Sequence, residues 1–309
     1  MSDKTNGFHH VKDDDFKDIR IPVPWGHISG KWWGSRVVQP ILAIHGWQDN
    51  AGTFDTLAPL LANRGHSLLC IDLPGHGLSS HYAQGHYYYI FWDGIHLLRR
   101  IVKHFEWENV TLMGHSLGGA ISFLYAAVYP DEVEKYISLD IASPSVRSPA
   151  KIIATIPDAV DKFLHYEHLT PQQIPCYEYN EMIDIVHDAY KGGVTLEGCK
   201  IMMRRGMKPV EDKPGFYVFS RDPRLKVPSL AFMTQEQSLD FASRIKCEVL
   251  NIRGDPGMTF EFPEFYGTVL DKIEQQAKKV ERHVVKGSHH LHLNNPERIV
   301  DIVDQFLSS

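Results

Sequence analysis

The sequence predicts an α/β fold: a mostly parallel central sheet flanked by helices, with a helical cap inserted between two strands. Three observations predict it. Strand-like runs alternate with helix-like runs along most of the chain. Those strand-like runs are apolar throughout, as strands covered on both faces must be. One stretch, 143–242, breaks the rhythm with short helical patterns rich in Met, Tyr, Phe and Pro.

Taken in order, residues 19–34 read as two short strands joined by a Gly-containing turn. An apolar run at 37–46 ends in His45-Gly46, and helical spacing at 54–65 stops at Gly65. A strand at 66–73 opens into a Gly-rich loop. Residues 90–105 place apolar side chains at i, i+3 and i+4, which makes a helix. Residues 109–130 read as strand, tight turn and helix, and 133–142 as a strand. After the insert come a strand at 247–255, a helix at 262–279, a strand at 282–288 and a closing helix at 295–307 with Pro near its start. The organisation expected is a polar tail at 1–18, a core of 19–142 and 243–309, and a helical cap at 143–242.

Composition excludes several classes. The chain has 309 residues, 43% hydrophobic and 23% charged, which is enough apolar material for one large core. A net charge of −6 gives no sign of nucleic-acid binding. No run of about 18 apolar residues occurs, so no transmembrane segment is expected. The polar, acidic start does not read as a signal or transit peptide, and "FLSS" at the end is not a peroxisomal signal. A cytoplasmic protein is expected. Cys70, Cys176, Cys199 and Cys247 are widely spaced, with no CxxC, and read as reduced thiols.

The strongest chemical signal is "GHSLGG". Gly114 to Gly118 fits G-x-S-x-G, between the apolar strand "VTLM" and a helix rich in small residues. A serine held on so sharp a turn needs neighbours without side chains. Ser116 is therefore the candidate nucleophile. It needs a base and donors for the oxyanion. "HGWQDN" ends an early strand, and there the backbone N–H of Trp47 can converge with that of Leu117, which heads a helix whose first N–H groups lack internal partners. His45, Gly46 and His115 flank these turns and are candidate substrate contacts. "GSHHLH" puts His289, His290 and His292 within four residues. By itself this cluster could be a metal site, a base among bystanders or a solvated loop. A serine elbow needs no metal and no HExxH occurs, so neither metal nor cofactor is expected.

The ordered set "HGWQDN" (45–50), "DLPGHGLSS" (72–80), "GHSLGG" (114–119) and "GSHHLH" (287–292) resembles the α/β-hydrolase fold family over roughly residues 20–307. Within it, "VPWGHISGKWWGS", "HGWQDNAGTFD" and "GHGLSSHY" are most similar to the serine hydrolase-like proteins. The resemblance implies the order nucleophile, acid, histidine. It implies His289 as base, His292 as a second histidine near by, and no role for His290. It favours Asp140, at the end of the strand "YISLD", as the acid. Asp255, directly after Gly254 in "RGDPGM", is the alternative, in the fold's usual position but with a shortened spacing. It implies a serine hydrolase, read here as cleaving a small-molecule carboxylic ester, thioester or amide, and the cap's Met and aromatic residues suggest an apolar acyl or alcohol portion. Met202, Phe216 and Phe232 are candidates to line an acyl pocket, or else core of the cap. The alternatives on the same fold are a C–C bond hydrolase and a ligand-binding or signalling protein with little turnover. Epoxide hydrolases and dehalogenases carry Asp at the elbow, so Ser116 argues against them.

Overall fold

The computed structural model describes residues 15–227, 230 and 232–309. Among the described residues the strands are β1 (Phe16–Val23), β2 (Gly26–Trp33), β3 (Ile41–Ile44), β4 (Leu68–Ile71), β5 (Val110–His115), β6 (Val133–Leu139), β7 (Tyr177–Glu178), β8 (Met207–Pro209), β9 (Phe216–Phe219), β10 (Glu248–Gly257) and β11 (Lys279–Ser288). The helices are α1 (Ala58–Ala62), α2 (Phe91–His104), α3 (Leu117–Val128), α4 (Pro149–Glu167), α5 (Tyr179–Ala189), α6 (Leu196–Gly206), α7 (Gln235–Ala242), α8 (Phe265–Glu274), α9 (Leu291–Asn294) and α10 (Val300–Ser308).

Eight strands make one sheet in the order β1-β2-β4-β3-β5-β6-β10-β11. β1 and β2 run antiparallel to their neighbours, and every pairing from β4 to β11 is parallel. The predicted sheet is thus the observed one. Its strands are apolar throughout because both faces are covered. On β5, Leu112 joins the cluster under α2, α3 and α8, while the next residue, Met113, joins the cluster under α1 and α10. Parallel register carries the C-terminal ends of β3, β5, β6 and β10 to one edge of the sheet, where the loops that matter emerge.

Three boundaries differ from the sequence reading. β1 begins at Phe16, inside the stretch 1–18 expected to be tail, and pairs along its whole length with β2. Residues 1–14 of that stretch lie outside the described residues. The insert is not purely helical: β7, β9 and β8 form a small antiparallel sheet. At two to four residues each, these strands are too short to show alternation. Finally, α7 falls within 143–242 but packs on α3 and α8, with Leu239, Phe241 and Ala242 facing their apolar cluster. Its start is set by a capping box between Thr234 and Gln237.

The insert departs and returns side by side, with Val146 bridged to Met233. It is stitched to the core by charge. Arg205 of α6 donates to Asp72 at 2.7 Å, to Asp18 at 2.8 Å and to the Ser29 hydroxyl at 2.9 Å. The four cysteines are unpaired, as expected. Among the described residues no helix is long and apolar enough to cross a membrane.

Candidate active site

Ser116 sits between β5 and α3 with φ 51° and ψ −116°. A non-glycine residue there is strained, and surrounding glycines allow it. A Cβ on Gly118 would lie 2.0 Å from the Ile44 carbonyl oxygen, and one on Gly114 would lie 2.3 Å from the backbone of Gly118. Helix and strand can approach this closely only without side chains at those positions. The expected elbow is therefore present as a geometry.

β3 lies beside β5, with Ile44 opposite Gly114, so the turn after β3 stands next to the elbow. Among the described residues, neither the Trp47 nor the Leu117 N–H finds an acceptor in the protein. Both are open to a ligand oxygen.

β6 lies on the other side of β5, with Leu139 opposite His115, and delivers Asp140 to the same edge. Asp140 is fully buried, and its Oδ2 lies 2.7 Å from His289 Nδ1. It also accepts from the backbone N–H of Gly254 and of Met258, each at 2.7 Å. These donors bracket the end of β10, which carries Asp255. A Cβ on Gly257 would lie 2.5 Å from Asp140 Oδ1. The end of β10 and the residue after it thus supply N–H groups to the Asp140 carboxylate, while Asp255 itself is exposed. With Nδ1–H donated to Asp140, the neutral ring of His289 keeps its lone pair on Nε2. Among the described residues nothing in the protein occupies that nitrogen.

A pocket of about 260 Å³ opens over Ser116, lined by Trp47, Ile90, Phe91, Leu117, Phe232 and Met258 among others. A second cavity of about 290 Å³ lies between residues 47–50 and the cap, lined by Asp49, Tyr190, Met202, Phe219 and Arg221 among others. Trp47 borders both.

The remaining sequence candidates divide. Phe232 lines the Ser116 pocket, and Met202 lines the second cavity. Phe216 lines neither; it sits in β9 under the Lys213 ammonium, 3.4 Å from its ring centroid. His45, Gly46 and His115 do not line the Ser116 pocket either. They are buried supports. His45 donates through Nδ1 to the Gly46 carbonyl at 2.6 Å and accepts the Leu73 N–H on Nε2 at 3.0 Å, which fixes the turn before Trp47. His115 donates through Nε2 to the His289 carbonyl at 2.9 Å, tying the base's backbone to the elbow. Burial, reinforced by His289 and His290, pushes the His115 ring down to about 3, so it stays neutral.

Sequence reasoning missed one buried network. His290 was expected to have no role, yet its Nε2 lies 3.1 Å from Asp49 Oδ2, and the Tyr190 hydroxyl donates to Asp49 Oδ1 at 2.5 Å. Burial raises the Asp49 carboxyl, but His290 and His115 outweigh it and hold it well below the usual range. Asp49, His115 and His290 each offer one ligand atom, all within 4.8 Å of one another, so they are the trio that could hold a cation. His292 accepts or donates at Thr53 Oγ1, 2.9 Å away, below the same network. No local signal in "HGWQDN" or "SHHLH" points to it, because their meeting spans most of the chain.

The comparisons with known proteins agree with this fold. Residues 39–171 match the family model described as alpha/beta hydrolase fold. A Drosophila melanogaster protein named "Probable serine hydrolase" is 50% identical, over 99% of this chain and 94% of its own length. The chain belongs to the α/β-hydrolase family, among its serine hydrolase-like proteins. A solved structure of a hypothetical protein of Pseudomonas aeruginosa superposes with a TM-score of 0.82 at 29% identity, covering 94% of this chain and 99% of that one. The thioesterase domain from the curacin biosynthetic pathway shares the fold at a TM-score of 0.77 and 22% identity, over 95% of this chain and 99% of that one. Membership makes this α/β hydrolase a hydrolase of the serine class.

Proposed function

We propose that the protein hydrolyses carboxylic esters, with thioesters or amides as close variants, through an acyl-enzyme on Ser116. His289 Nε2 takes the Ser116 proton as Oγ attacks the carbonyl. Asp140 holds the ring in the tautomer that leaves Nε2 free and stabilises the imidazolium that forms. The oxyanion lies between the N–H groups of Trp47 and Leu117, each such donor lowering the barrier by about 3–4 kcal/mol. His289 returns its proton to the leaving group and then activates the water that clears the acyl group. No metal or cofactor enters these steps.

The observation that supports this reading most is the 2.7 Å bond between His289 Nδ1 and a fully buried Asp140, beside a serine held at positive φ. A fluorophosphonate probe tests it, with Ser116→Ala as control. Labelling of the intact protein and not of the variant, with turnover of short acyl esters, is the expected result. An unlabelled, inactive intact protein would sink it and leave the ligand-binding reading.

A further inference from the structure

Among the cap arginines at the seam with the core, Arg147, in the wall of the Ser116 pocket, pairs with Glu261 at 2.9 Å, and Arg205 and Arg224 are saturated. Arg205 bonds Asp72, Asp18 and Ser29. Arg224 bonds Asp222 and the carbonyls of Tyr82, Ala83 and His86. Arg221 is different. It stands in the wall of the 290 Å³ cavity, its Nε sealed from solvent without a hydrogen-bond partner. Among the described residues, no carboxylate forms an ion pair with it. Its close contact is the face of Phe219, 4.3 Å from Cζ to the ring centroid.

Asp49 lines the same cavity but is already engaged: Tyr190 holds Oδ1, and His290 holds Oδ2. Burial pulls the Arg221 pKa down, with Tyr190 and Asp49 opposing it at a distance. Lys226, lowered by burial and by the charge of Arg221, adds a second cation near by. A half-buried guanidinium with a sealed Nε and no counter-ion carries a cost, and an oxyanion in the cavity would relieve it. The rest of the wall is largely apolar, with Ile185, Val186, Met202 and Met203.

We propose that this cavity receives the carboxylate end of a short substrate whose scissile carbonyl lies at Ser116. The proposal rests on the serine-hydrolase reading above and names its substrate class. Trp47 borders both spaces, so the substrate's stem runs along its indole. A planar carboxylate matches the guanidinium fork. At the ~30 Å³ that one water claims, a cavity of about 290 Å³ suits a short chain rather than a long lipid. The apolar substrate expected from the sequence acquires a charged end.

Two esters of equal acyl length test this: neutral 4-nitrophenyl valerate, and the 4-nitrophenyl monoester of glutaric acid, which ends in a carboxylate. The wild type is expected to favour the glutarate ester in kcat/KM by about tenfold or more, mainly through KM, as a charge-assisted hydrogen bond provides. In Arg221→Gln that preference collapses towards one. Arg221→Lys keeps part of it, because the charge remains and the fork does not. A preference for valerate, or one that survives Arg221→Gln, overturns the proposal. Free glutarate supplies a readout without turnover: it should raise the Tm of Ser116→Ala and not that of Ser116→Ala combined with Arg221→Gln. If valerate is hydrolysed but glutarate neither binds nor is preferred as an ester, the tail assignment alone fails. If neither ester is cleaved and Ser116 resists the fluorophosphonate, the hydrolase reading fails, and the glutarate shift then decides the cavity by itself. Arg221→Gln should leave Tm unchanged or higher, because it removes an unpaired, half-buried charge. A fall in Tm would mark a structural role and overturn the proposal.

Discussion

His289 and His290 are neighbours in the chain, and each meets an aspartate: Asp140 at 2.7 Å and Asp49 at 3.1 Å. Their surroundings differ. The His289 side chain is 22% exposed and its Nε2 is open, whereas the His290 side chain is 7% exposed and its free Nδ1 is sealed. Asp140 is wrapped by backbone N–H groups, which cannot titrate. Asp49 is wrapped by two histidine rings and a tyrosine, which make it part of a packed polar core. A carboxylate partner alone therefore does not mark a working histidine. On the proposed reading, the accessible second nitrogen distinguishes His289.

That contrast can be broken most sharply by activity. Ser116→Ala should cost about 10⁶ in kcat, the loss typical of removing the nucleophile of an intact triad. Asp140→Asn should cost about 10⁴ in kcat through loss of the correct tautomer, measured on a short acyl ester. Asp49→Ala should act on stability instead, by about 3 kcal/mol in urea unfolding, because the Tyr190 and His290 donors lose a buried acceptor. If Asp49→Ala stays folded yet loses as much kcat as Asp140→Asn, the two pairs are not different in kind.

A separate effect on stability should appear with pH. His45, His76, His115 and His292 are buried, and burial lowers each ring's pKa. Below pH 6.5 the unfolded chain takes up protons that the folded rings refuse, so stability falls as pH falls. For His115 this window runs from 6.5 down to about 3. Each such ring should contribute up to about 1.4 kcal/mol per pH unit. The urea midpoint measured from pH 7 to pH 5 reads this directly; a flat profile would show that the rings accept protons in place. The smallest effect belongs to Asp255→Asn, whose side chain is exposed, and ester turnover should stay near wild type.

The sheet and elbow were legible because their signals are local. Apolar runs, glycines at 114, 118 and 119, and Ser116 between strand and helix all lie within short windows. His289 and Asp140 were reachable only through a family resemblance, since nothing in "YISLD" distinguishes it from an ordinary strand end. Residues such as Asp49, His290 and Arg221 were not legible at all. Their meaning depends on what they meet, or fail to meet, from distant parts of the chain: Asp49 and His290 stand 241 positions apart. The short strands of the cap escaped for a different reason, having too few residues to display a period.

The bridge between Val146 and Met233 gives the cap a narrow neck. Everything between those residues behaves as a cassette, with Ser116, Asp140 and His289 all outside it. Selectivity can then be exchanged by grafting a foreign segment at that neck while the hydrolytic machinery is inherited unchanged. One debt travels with the exchange. Asp72 belongs to the host and is buried against Arg205 of the cassette at 2.7 Å, so any graft must bring its own cation to that spot or leave the host with a stranded charge.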